Sequence, residues 1–210
     1  MIHAADVAAM ITLPPDRALV LASASPRRRD LLSSAGLTFT VRPADIDETP
    51  LDDEAPADYV RRLSIEKADA CAASPLASSR DVIVAADTTV EIGGLILAKP
   101  LDDDDAYAML RRLSGRSHSV HTGVTVSAAA HGARRSSTIV VTTQVHFADL
   151  SDDAIDWYLT TGEAADKAGA YGIQGAAGVF VERVEGSVTN VIGLPLAETV
   201  ELIAAATTGD

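Results

Sequence analysis

Four clusters in this chain of 210 residues combine residue types and spacings suited to phosphate chemistry. The first is Leu21-Ala22-Ser23-Ala24-Ser25-Pro26-Arg27-Arg28-Arg29, an apolar strand running into a helix with Ser25 as cap and Pro26 at its first position. The start of a helix leaves backbone N–H groups free to attract an anion. Positive side chains there oppose the helix dipole, a conflict that a bound phosphate relieves. Spacing alone fits a capped surface helix with solvated arginines equally well.

The second cluster centres on Lys67. With Val60, Leu63, Ser64 and Cys71 it forms one face of a helix, so a lysine occupies the middle of an apolar stripe. It could snorkel at the core edge. The chain holds only three lysines, Lys67, Lys99 and Lys167, against fourteen arginines. Where arginine is the default cation, lysine marks a place wanting a compact point charge, such as a phosphate pocket.

The third cluster is Ala85-Ala86-Asp87-Thr88-Thr89, followed by Leu97-Ala98-Lys99-Pro100. An aspartate at the end of a buried strand is held rigidly enough to serve as metal ligand or general base; the bland alternative is a turn-forming Asp-Thr pair. In the fourth, Asp166-Lys167-Ala168-Gly169-Ala170-Tyr171-Gly172-Ile173-Gln174-Gly175, the glycines allow close approach to a ligand, and Gln174 can both donate and accept toward a base edge. This is neither a dinucleotide fingerprint nor a P-loop, and a flexible surface loop reads as well.

Other features carry less. Asp45-Ile46-Asp47-Glu48-Thr49 matches the D-x-D-x-T pattern of haloacid-dehalogenase-type phosphatases, but Arg42 and Pro43 separate it from the preceding strand. His118 and His121 are three apart on a strand and point to opposite faces, which argues against a shared metal. Asp102 to Asp105 suit the start of a helix. Cys71 lies on the Lys67 helix face and reads as packing.

The elements that must position these groups follow from periodicity. Strands are predicted over 18–22, 38–42, 82–86, 120–126, 139–147 and 179–184, with a hairpin over 90–97 turning at Gly93-Gly94. Helices are predicted from Ser25 to near Gly36, over 58–73, from Asp102 to about Leu113, over 152–160 and after Pro195, with a short strand beyond the turn at Glu185-Gly186. A hairpin loop is expected over Ala128 to Arg135. The sum is an α/β protein with a mixed twisted sheet and helices on both faces. Residues 1–17 read as a variable extension and 18–210 as a single domain.

Composition narrows the partners. A formal charge of −13 argues against a nucleic-acid face, yet leaves room for a small anion in a local basic pocket. One cysteine excludes an intrachain disulfide and fits a reducing, cytoplasmic setting. No apolar run reaches the ~18 residues that span a bilayer, and the N-terminus lacks the basic lead of a secretion signal.

In their order, the Leu21 to Arg28 stretch, Ile46-Asp47-Glu48, Glu66-Lys67-Ala68, Ala86-Asp87-Thr88, Leu97-Ala98-Lys99-Pro100, Leu113-Ser114-Gly115 with His118, Asp166 to Gly175, and Gly193-Leu194-Pro195-Leu196 resemble the motifs of the Maf family. The likeness runs from about Leu19 to Leu202. It implies two lobes around a central cleft, commonly a homodimer, and hydrolysis of a nucleoside triphosphate to monophosphate and pyrophosphate with Mg²⁺ or Mn²⁺. Asp87 would be the proton acceptor; Arg27, Thr88 and Gln174 would shape substrate choice; Lys67 and Lys99 would hold phosphates. Ser25, Arg28 and Lys167 join them as expected substrate contacts. Glu48, and with it Asp47, would share the metal with Asp87. The Asp166 to Gly175 stretch is similar to the branch acting on dTTP and UTP, with modified pyrimidine nucleotides as natural targets in a house-cleaning role. The competing readings are a nucleotide-binding regulator of septum formation and a haloacid-dehalogenase-type phosphatase.

Overall fold

A computed structural model describes Leu13, residues 15–130 and residues 133–207. The expected extension over 1–17 lies for most of its length outside these residues. The chain forms β1 (Ala18–Leu21), α1 (Pro26–Ser34), β2 (Thr40–Val41), α2 (Pro56–Ala72), β3 (Asp81–Ile92), β4 (Leu95–Leu97), α3 (Asp103–Leu113), β5 (Ser117–Ala130), β6 (Ala133–Phe147), α4 (Asp152–Leu159), β7 (Val181–Glu185), α5 (Val188–Ile192) and α6 (Leu196–Thr207). Among the described residues the sheet has seven strands, ordered β2-β1-β3-β5-β6-β7 with β4 also on β3. β1 pairs in parallel with β2 and β3, and the remaining ladders are antiparallel.

The unbroken apolar run of β3, buried from Asp81 to Asp87, fits a strand covered on both faces. α2 packs on one face and buries Val60, Leu63, Ser64, Lys67 and Cys71, the stripe expected from its sequence. It starts at Pro56 rather than at residue 58, because proline is at home in the first turn. α1, α5 and α6 cover the other face. α3 is capped by Asp102, whose side chain accepts from Asp105 N at 2.8 Å; acids fill its first turn and Arg111 and Arg112 its last. Two apolar clusters flank the middle of the sheet. One gathers Leu19, Leu32, Val84, Val124 and Ile203, the other Leu110, Val120, Phe147, Ile155 and Tyr158.

Four expectations need correction. β3 does not stop before Asp87 but runs on to Ile92, because β5 pairs with it from Ile83 to Glu91. Residues 128–130 and 133–135 are not loop, since β5 and β6 pair out to Ala130 and Ala133. The strand expected over 179–184 begins at Val181, after a 3₁₀ segment (Ala176–Phe180) that buries Phe180. The short strand predicted after Gly186 is helix α5. Its β-branched residues favour a strand locally, but Ser187 caps a helix by accepting from Asn190 N, and the buried Asn190 amide donates to Val120 O and Thr143 Oγ1. Tertiary bonding overrides propensity here.

Candidate active site

β5 occupies one edge of β3 from Ile83 to Glu91. On the other edge β1 pairs only as far as Val84, and β4 begins at Val90. Among the described residues no strand pairs with 85–89 on that edge. β1 leaves the sheet there and leads into α1, opening a crevice where strand order permits ligand access. A cavity of about 790 Å³ fills the gap, and it is lined by Ser25, Arg27, Arg28, Glu48, Lys67, Asp87, Thr88, Lys99, Lys167 and Gln174 together. Asp87 therefore sits in mid-strand, beside a local edge.

Lys67 Nζ lies 2.6 Å from Asp87 Oδ1 and 2.6 Å from Glu48 Oε1. Asp87 and Lys67 are nearly buried, whereas Glu48 is half exposed at the cavity. Partial burial pushes the Glu48 carboxyl upward, but Lys67, with Lys99 and Arg28 behind it, outweighs burial and holds it below the ordinary range. Two carboxylates thus converge on the Lys67 ammonium. Asp47 stays outside the cavity and accepts from Thr49 N instead. Its segment follows no strand directly, so the D-x-D-x-T resemblance lacks its structural setting.

α1 is capped as expected, with Ser25 Oγ accepting from Arg28 N. Its arginines divide. Arg28 is buried and donates to Gly193 O at 2.8 Å, Ser23 Oγ at 3.0 Å and Thr88 Oγ1 at 3.1 Å. Burial pulls its guanidinium below the ordinary value, while Asp87 and Glu48 oppose that pull. Arg27 reaches across the cavity mouth to Asp166 Oδ2 at 3.1 Å.

Asp166 also receives Lys167 Nζ at 2.6 Å, and this lysine donates in addition to Glu163 O. A side chain at Gly172 would meet Lys167 Cε at 2.6 Å, and one at Gly175 would meet Glu163 Oε2 at 1.9 Å. The glycines of the loop therefore admit side chains that fold back beneath it. Gln174 and Lys99 are exposed at the cavity without hydrogen bonds among the described residues. Tyr171 anchors the loop through His118 Nε2 at 2.8 Å. Burial pulls His118 down to about 4, so the ring is neutral, and burial pushes Tyr171 upward. His121 instead meets Thr142 Oγ1 on the α2 face.

Three contributors escaped the sequence reading. Gly123 is the cross-strand partner of Asp87, and α2 passes so close that Val60 O lies 2.2 Å from where a Cβ would stand. A glycine inside an alternating strand was the available signal. Tyr59 and Arg62, one helical turn apart, grip the segment that carries Glu48; nothing in their spacing distinguishes them from ordinary helix residues.

This site, a carboxylate and cations gathered where a mixed sheet leaves one strand edge open, belongs to a class of α/β proteins shaped for a small anionic ligand. A family model described as Maf-like protein matches residues 18–206, and the chain belongs to the Maf family. It is 54% identical over 185 residues to a protein of Anaeromyxobacter dehalogenans named dTTP/UTP pyrophosphatase, covering 88% of this chain and 92% of the relative. Proteins of the same name from Hahella chejuensis and Shewanella oneidensis are 53% and 49% identical, each over 90% of this chain and over 92% and 97% of their own. Among the described residues no helix is long and apolar enough to cross a membrane.

Proposed function

We propose that this chain hydrolyses nucleoside triphosphates, dTTP and UTP foremost, to the monophosphate and pyrophosphate. The observation that carries the reading is the convergence of Asp87, Lys67 and Glu48 in a cavity whose other walls present Arg27, Lys99 and Lys167. The names of the relatives support the substrate class. A role in removing modified pyrimidine nucleotides is the corresponding house-cleaning function.

Asp87 takes a proton from a water as that water's oxygen bonds to the α-phosphorus. The bond from the α-phosphorus to the oxygen bridging to the β-phosphate breaks, and pyrophosphate leaves with the electron pair. Lys67 engages Asp87 Oδ1, and among the described residues Oδ2 accepts no hydrogen bond, which leaves it for the water. Lys67 and Lys99 offset phosphate charge. Arg27 and Lys167 exchange the Asp166 carboxylate for phosphate oxygens. Arg28 holds Ser23, Thr88 and Gly193 together as the cavity floor, and Gln174 reads the base edge with its amide. Preorganised charges of this kind do most of their work in a partly dry cleft.

A divalent cation, Mg²⁺ or Mn²⁺, fits the donor set. Glu48 and Asp87, both held by Lys67, offer hard carboxylate oxygens that would hold the ion. No cluster of three or more His, Cys, Asp or Glu suited to a metal occurs among the described residues, so substrate phosphates and water would supply the other ligands, as is usual for Mg²⁺. Such an ion, once bound, neutralises charge on the phosphates and the leaving pyrophosphate.

The test is a panel of dTTP, UTP, CTP and GTP with Mg²⁺ or Mn²⁺, in which pyrophosphate and orthophosphate are measured separately. Pyrophosphate should appear in step with the monophosphate. Asp87→Asn should lower turnover by about 10²–10⁴-fold while nucleotide binding survives. Release of orthophosphate, or near-normal turnover by that variant, removes the proposal.

A further inference from the structure

Glu48 sits in a segment, 42–55, that carries no helix or strand. Irregular stretches of about 12–15 residues inside a compact domain are uncommon and usually functional. A carboxylate on such a segment is useful only if the backbone is held. One turn of α2 does the holding, at Glu48 itself and at the residue that follows it. The Tyr59 hydroxyl donates to Glu48 O at 2.8 Å, and Arg62 NH2 donates to Thr49 O at 3.2 Å. Arg62 is itself fixed by a two-pronged pair with Glu54, 2.6 Å from Nε to Oε1 and 2.7 Å from NH2 to Oε2. Glu54 Oε2 in turn accepts from Leu51 N at 3.0 Å, which ties down the far end of the segment. The guanidinium lies 5.7 Å from the centre of the Tyr59 ring, so the two grips brace each other.

We propose that Tyr59 and Arg62 are positioning residues that hold Glu48 against Lys67 and Asp87, and so set how tightly the site takes a divalent cation. The proposal rests on the pyrophosphatase reading only in taking Glu48 as a ligand. Neither residue enters the chemistry. Lys67, two turns after Tyr59 on the same helix, binds both Asp87 and Glu48, so α2 serves as a common frame for the two carboxylates.

The experiment titrates Mn²⁺ into the protein with and without α,β-imido-dUTP and follows free Mn²⁺ by electron paramagnetic resonance. Tyr59→Phe, which keeps the ring and removes one hydroxyl, should weaken Mn²⁺ binding about threefold to tenfold, as expected for one hydrogen bond. Arg62→Met should weaken it about tenfold or more. Binding of the analogue in EDTA should not change. In a Glu48→Gln background both effects should largely vanish, since there is no longer a carboxylate to aim. Unchanged Mn²⁺ affinity in Tyr59→Phe, or an equal loss with and without Glu48, overturns the proposal. So does a wild-type protein that binds no Mn²⁺. Failure of the wild type to release pyrophosphate counts against the pyrophosphatase reading alone, because the coupling to Glu48 is read from metal binding and not from turnover.

Discussion

Gly123 stands directly opposite Asp87 in the β3–β5 ladder, and the carbonyl of Val60 occupies the space that a side chain at Gly123 would need. The absence of one methyl group lets α2 lie close enough for Lys67 to reach Asp87. Gly123→Ala should force the helix away, at a cost of about 1–3 kcal/mol for overpacking. Thermal unfolding should record a fall of roughly 2–4 °C per kcal/mol, with turnover falling further than stability. An unchanged melting temperature with full activity would show that the close approach does not matter.

Arg27 and Gln174 should separate binding from folding. The Arg27–Asp166 pair spans the cavity mouth between a partly exposed arginine and a largely exposed aspartate, and solvent-accessible pairs contribute only about 0–1 kcal/mol to stability. Arg27→Met should therefore leave the melting temperature nearly unchanged while raising KM for dTTP about tenfold, the loss expected for a charge-assisted bond to phosphate. A normal KM would release Arg27 from substrate contact.

Gln174→Glu keeps size and removes the amide donor at an exposed position. The order of preference among dTTP, UTP, CTP and GTP should change without loss of fold. If kcat/KM for all four falls in proportion, the base-reading role is wrong.

His118 makes stability sensitive to acid. The folded protein keeps the ring neutral down to about 4, whereas the unfolded chain takes up a proton near 6.5. The unfolded state binds more protons between these values, so this contribution is whole above about pH 6.5 and is lost as pH falls toward 4, on the order of 3 kcal/mol. Urea unfolding at pH 7.5 and pH 4.5 should show His118→Gln losing about that much less than the wild type. Parallel losses in both proteins would mean that the ring is not held neutral.

Cys71 should be chemically quiet. It is buried, its thiol donates to Arg42 O at 3.6 Å, and burial pushes it above the ordinary thiol value. Iodoacetamide should label it only when the chain unfolds, and Cys71→Ala should retain activity. Rapid labelling of the native protein would contradict its place in the core.

Several residues that line the cavity were legible in the sequence because they broke a local rule: arginines at a helix start, a lysine in an apolar stripe, an acid inside a run of Val and Ala, glycines in series. Periodicity likewise announced α2, α3, β5 and β6, and a short apolar run announced β1, which is buried on both faces. What spacing leaves open is who meets whom. That Asp87 lies in mid-strand follows from β5 pairing across it, and that it borders an open edge follows from β1 pairing only to Val84 and β4 only from Val90. That Arg28 turns inward while Arg27 spans the mouth follows from Gly193 and Asp166, 165 and 139 residues away. That residues 188–192 coil into α5 follows from buried bonds to β5 and β6. These outcomes were decided by tertiary structure, because each depends on a partner distant in the chain, and local propensity carries no information about that partner.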